Sequence, residues 1–161
     1  MEQNSIFFKV YGAEKENNTL LCLNGKHYVL FYGFFTDEIG NYRLRKDYLY
    51  KPSIEEIRKD IGNLIDEQTS DKILSGFTYE GDSVWLSLEN QLNFRSAVCF
   101  PCRFKIGETE GVPTYRTFLS SDELLAFNNA ITEYIHSCLE DGWKIKDSVD
   151  YNIYEEAKNE I

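Results

Sequence analysis

The sequence predicts an α+β fold: an antiparallel β meander, then helix, β-hairpin, helix, β-hairpin and a long amphipathic helix. Three observations lead there. Residues 1–51 consist largely of short aromatic and β-branched runs broken by turn residues, the pattern of adjacent strands. Ser53 with Glu56, and Ser120 with Glu123, read as capping boxes, and each opens a run with apolar residues three and four apart. Between them Leu74–Val98 (LSGFTYEGDSVWLSLENQLNFRSAV) reads as strand, tight turn, strand and capped helix.

The meander is expected from Ser5–Tyr11, Thr19–Leu23, His27–Phe35 and Tyr42–Tyr50. Asn24-Gly25 is a hairpin signal, because glycine reaches the positive φ of a tight turn. His27–Phe35 is apolar on both faces, as a central strand would be. In Tyr42–Tyr50, Tyr42, Leu44, Tyr48 and Tyr50 alternate with Arg43, Arg45 and Asp47. Lys51-Pro52-Ser53 ends the meander and marks the only plausible division, between residues 1–51 and 52–161.

Ile54, Ile57, Ile61, Leu64 and Gln68 then form one helical seam, widened by Ile65. The seam either packs on the meander or pairs with a second copy. Gly62, worth about 1 kcal/mol against alanine, speaks against a free-standing coiled coil. In the central stretch Gly81 supplies the hairpin turn and Ser87 the helix cap, with Leu88, Leu92 and Phe94 or Arg95 at near-helical spacing. That helix must stop by Pro101. Arg103–Ile106 and Thr114–Phe118 read as strands joined by a long loop, Gly107–Pro113. The longest helix is expected over Ser121–Asp141, buried through Leu124, Phe127, Ile131, Tyr134, Ile135, Cys138 and Leu139. Gly142 reads as its stop, with Trp143 folding back on the core. Asp147 or Ser148 is expected to cap a last short helix, Tyr151–Lys158, ahead of a fraying acidic end.

A chain of 161 residues with 42% hydrophobic side chains builds one ordinary domain, or a domain with a small accessory piece. The net charge of −10 argues against a nucleic-acid partner and against anionic membranes. Arg43, Arg45 and Lys46 are the best basic strip, but alternating arginines on a strand more often form a solvated face. No signal peptide or transmembrane run is visible, so a cytoplasmic location is expected.

No reaction is spelled out, and no catalytic residue, metal or cofactor is expected. Cys99 and Cys102 form the one tempting pair. They follow a helix rather than open one, which is the wrong polarity for a low-pKa thiolate. Cys22, His27, His136 and Cys138 lack the paired spacing of a zinc site. The remaining positive feature is tyrosine. Tyr28, Tyr32, Tyr42, Tyr48 and Tyr50 either fill the core face of the meander or form an interaction patch.

Several blocks also occur in an order that resembles a family. They are SGFTYEG over residues 75–81, VWLS over 84–87, Glu89-Asn90-Gln91, Asn93-Phe94, Phe104–Gly107, Tyr115–Phe118 and the segment Leu139–Lys144 with Lys146-Asp147. Together, about residues 72–154 resemble a domain of unknown function found in phage and prophage proteins, often tail-associated. One departure is the direct passage from Ala97 to Pro101, where family members carry a longer helix and loop. The family has no agreed catalytic residues. What the resemblance implies is a non-catalytic protein acting by protein–protein contact in tail structure or assembly. Its partners would be tail or baseplate components, or a second copy of itself, and virion association would follow from the resemblance alone. The alternatives are a small intracellular enzyme or thiol/metal-binding protein built on Cys99 and Cys102, and an adaptor with a small-molecule cleft.

Overall fold

The structure, a computed structural model, describes residues 6–159. In chain order its elements are β1 (Phe8–Tyr11), β2 (Thr19–Cys22), β3 (Tyr28–Thr36), β4 (Asn41–Tyr48), α1 (Ile54–Ser75), β5 (Phe77–Tyr79), β6 (Asp82–Val84), α2 (Leu88–Arg95), β7 (Cys102–Thr109), β8 (Val112–Phe118), α3 (Ser121–Ser148) and β9 (Lys158–Asn159). The fold is α+β. The described residues gather into two compact units. One comprises those of Met1–Leu64 and Ser148–Ile161, the other Ile65–Asp147. The boundary thus falls inside α1 rather than at the Lys51–Ser53 turn.

The first unit is a five-stranded sheet in the order β1-β4-β3-β2-β9. β2, β3 and β4 form the expected meander, whereas β1 joins the far edge of β4 in a Greek-key order. In that pairing Phe8 lies opposite Arg45, whose guanidinium sits 5.5 Å from its ring centroid and adds a cation–π contact across the two strands. Ser5, placed in the first strand by the sequence reading, lies outside the described residues. Ser53 caps α1, with its Oγ accepting from Glu56 N at 3.1 Å. Ile57 and Ile61 are fully buried, but Gln68 at the end of the predicted seam is exposed.

The chain end departs from expectation. Asp147 and Ser148 belong to α3, and Asp150 caps a 3₁₀ turn, Tyr151–Tyr154. Lys158–Asn159 then pairs in parallel with β2 rather than ending a helix; Glu160 and Ile161, of the end expected to fray, lie outside the described residues. Tyr154, 1% exposed, supplies the apolar anchor that holds this segment down.

The second unit is organised by aromatic rings. Phe127 of α3 meets Phe118 at 4.9 Å, Tyr79 at 5.0 Å and Phe94 at 5.1 Å between centroids. Leu86, Val84, Ile106 and Ile131 close the core around them. β5 and β6 turn through Glu80-Gly81, both at positive φ, and β7 and β8 turn the same way through Glu110-Gly111. The second turn corrects the expected Gly107–Pro113 loop. A two-residue turn lets the ladder run to its tip, with Thr109 opposite Val112.

Two further corrections concern helices. α3 runs through Gly142 to Ser148, and Trp143 is 52% exposed, in edge contact with His136, rather than folded onto the core. In α2 only Phe94 is buried; Leu88 and Leu92 are exposed. Leu88 and Leu92 share one face, and Phe94 lies about 200° round the helix from Leu92. A short helix has room for one inward stripe, and the larger aromatic side chain takes it.

Candidate functional site

The site is built where β6 passes into α2. Val84 is buried, so its neighbour Trp85 turns to the other side, where it is 47% exposed. The backbone there is pinned on three sides. Trp85 N donates to Ile106 O at 2.7 Å, and Leu86 N donates to Leu74 O at 3.0 Å. Ser87 Oγ accepts from Asn90 N at 3.1 Å, and Asn90 Nδ2 donates to Trp85 O at 2.8 Å. Gln91 Nε2 adds a bond to Leu86 O at 2.9 Å. The indole is therefore presented from a rigid corner.

β7 makes the opposite wall. Its register shifts at Ile106, which is fully buried, and Gly107 lies against β6. A Cβ on Gly107 would stand 2.8 Å from Ser83 O, so only glycine permits this approach. Lys105 and Glu108 project from the bulge and pair at 2.6 Å. The hydrogen bond to Glu108 holds the Lys105 ammonium above its ordinary pKa, so it is a fixed cation rather than a base.

Between these walls lies a cleft of about 650 Å³ lined by Trp85, Ser87, Glu89, Asn90, Lys105, Gly107 and Glu108. Leu88, 79% exposed, and Leu92, 68% exposed, lie on α2 outside the cleft lining. A half-exposed indole on a rigid base, ringed by polar groups, is binding chemistry: large contact area with little to order on association.

The tyrosines do not form one patch. Tyr32 and Tyr48 are buried, Tyr28 and Tyr42 half-buried, and only Tyr50 is exposed. Tyr28 and Tyr48 are cross-strand partners, and Tyr48 donates to Asp60 Oδ2 at 2.6 Å. Burial and that bond push the Tyr48 phenol far above its ordinary pKa. Tyr42 stacks on Phe35, and Tyr50 donates to Glu56 from beyond the end of β4.

All four cysteines are free thiols; Cys99 is exposed, Cys102 half-buried and Cys138 buried. Among the described residues no three His, Cys, Asp or Glu side chains are grouped to hold a metal ion. No helix among them is long and apolar enough to cross a membrane. No family model, no curated protein and no solved structure matches the chain.

The sequence reading did not single out Trp85, Leu88 and Leu92 as exposed; it noted Leu88 and Leu92 only at near-helical spacing with Phe94 or Arg95. One signal was present. Phe94 falls off the stripe those leucines define, so one helix face had to be left out.

Proposed function

We propose that this protein acts by protein–protein contact, without a reaction centre, through the surface formed by Trp85, Leu88 and Leu92. The observation that carries this reading is a half-exposed tryptophan whose backbone is held by hydrogen bonds, followed in the chain by a helix with two exposed leucines. Tryptophan is enriched among the few side chains that dominate binding energy, and rigid presentation lowers the entropic cost of association. The volume of the cleft also suits a small molecule. Leu88 and Leu92 lie outside its lining, which favours the broader contact of a protein.

The class of partner comes from the motif resemblance of residues 72–154 alone: tail or baseplate proteins of a phage or prophage particle, met in the cytoplasm during assembly or in the virion. The test is co-purification from induced cells with those proteins identified. Trp85→Ala and the double variant Leu88→Ser/Leu92→Ser should each lose the tail components while remaining folded. Recovery of the same components by both variants, or of none by the wild-type protein, would refute the reading.

A further inference from the structure

Of the cations that the sequence groups on β4, one has no acid paired to it among the described residues. Lys46 points to the side of α1, where it pairs with Asp60 at 2.8 Å. Arg43 and Arg45 alternate to the opposite face. Arg45 pairs with Asp47 at 2.8 Å. Arg43 makes no ion pair among the described residues. Its guanidinium instead lies over the Phe31 ring, 3.6 Å from the centroid, and Phe31 is only 6% exposed beneath it. Stacking on an aromatic face fixes the plane of the guanidinium and leaves its fork of N–H donors for another group. Burial and the neighbouring Arg45 charge both work against the Arg43 cation, a cost that an anion would offset.

Arg43 also lines a pocket of about 250 Å³, whose other wall is the connection between β1 and β2. That wall presents Tyr11, Glu14, Lys15 and Asn17, and it is tied to the sheet by Gly12 N donating to Asn41 O at 3.0 Å. The Tyr11 hydroxyl is committed to Asp37 at 2.8 Å, so Tyr11 serves as wall rather than donor. The Arg43 guanidinium, the Lys15 ammonium and the Asn17 amide remain, two cations against the single carboxylate of Glu14.

We propose that this pocket is a binding site for a single oxyanion, a carboxylate or phosphate group, gripped bidentately by Arg43 with Lys15 as the second cation. The pocket is smaller than the about 300–1,000 Å³ of a drug-sized ligand site, so it takes one head group. The net charge of −10 repels an extended polyanion, which leaves a compact ligand or one acidic side chain as the occupant.

The test is titration of the whole protein with inorganic phosphate and, separately, with acetate, following backbone amide signals by NMR. Sodium chloride at matched ionic strength is the control. Saturable shifts are expected across Gly12–Asn17, with half-saturation below about 10 mM for at least one of the two anions. Arg43→Lys keeps the charge and the cover over Phe31 but loses the fork; it should weaken binding about fivefold or more. Lys15→Ala, in an exposed loop, should weaken it too without disturbing the sheet. The preferred anion identifies which oxyanion the site takes. Shifts that follow chloride without saturating, or saturation unchanged in both variants, would overturn the proposal.

Discussion

Gly142 of α3 and Thr69 of α1 approach so closely that a Cβ on residue 142 would stand 2.6 Å from Thr69 Oγ1. Thr69 Oγ1 is itself held, donating to Ile65 O at 2.8 Å. The contact is flanked by ion pairs from Lys146 to Asp66 at 2.6 Å and from Lys72 to Asp141 at 3.5 Å. A residue that sequence logic reads as a helix terminator is thus a close contact between α3 and Thr69 of α1.

Gly142→Ala is therefore expected to destabilise. Alanine gains about 1 kcal/mol in helix propensity, but overpacking against a held side chain costs about 1–3 kcal/mol. Adding Thr69→Ala removes the obstructing hydroxyl and methyl, so the double variant should recover most of the loss. Urea denaturation of the three proteins measures this; an additive double variant would contradict the contact.

Asp60 carries two partners at one oxygen, Lys46 at 2.8 Å and Tyr48 at 2.6 Å. The Lys46 and Asp60 side chains are only 15% and 16% exposed. Asp60→Ala leaves a half-buried ammonium and a buried phenol unpaired, and should cost about 2–4 kcal/mol. Replacing Lys46 as well, as Lys46→Met/Asp60→Leu, should recover much of that loss in the same denaturation assay.

Asp37 gives the acid dependence. The hydrogen bond from Lys9, with those from Tyr11 and the amides of Ile39 and Gly40, holds its carboxyl well below the usual carboxylate range. The folded state favours the anion, so its stabilisation is complete above the unfolded value of about 3.9 and fades as the pH falls through and below it. Asp37→Asn should be less stable than wild type at neutral pH, and the gap should shrink below about pH 4. A gap independent of pH would show that the charge is irrelevant.

Tyr134 gives the alkaline limb. Burial and a hydrogen bond with Cys138 push its phenol up to about 12, and its hydroxyl also donates to Lys72 O at 2.7 Å. The protonated form is favoured in the fold, so its contribution is whole below about pH 10 and is lost as the pH rises towards the folded value. Burial raises the phenols of Tyr48 and Tyr154 as well, so phenolate absorbance at high pH should show several late-titrating groups, of which Tyr134→Phe removes one. That variant removes one of two hydrogen bonds to Lys72 O, the other coming from Gly76 N at 2.9 Å, at about 1 kcal/mol.

The exposed leucines separate packing from contact. Leu88→Ser/Leu92→Ser should change stability by no more than about 0.5 kcal/mol, as surface substitutions do. Phe94→Ala, at a fully buried site, should cost about 3–5 kcal/mol. Thermal melts of the two variants decide whether α2 faces the core as described.

Local chemistry made much of the fold legible. The Ser53, Ser87 and Ser120 caps, the Glu80-Gly81 turn and the alternation of β4 are each written in a few neighbouring residues. The candidate site was not legible in this way. Trp85, Lys105 and Asn90 meet only because the bulge at Ile106 and the bare Gly107 let β7 approach β6.

By itself the sequence determined the α+β class, the helical face of α3 and the absence of a spelled-out reaction motif, because periodicity and capping act over a few residues. Only the tertiary structure decided that β1 lies beside β4, that α3 runs through Gly142, and that Leu88 and Leu92 stay outside. Such choices depend on which of several chemically acceptable faces finds a partner far along the chain. Spacing names the faces, and long-range burial selects among them.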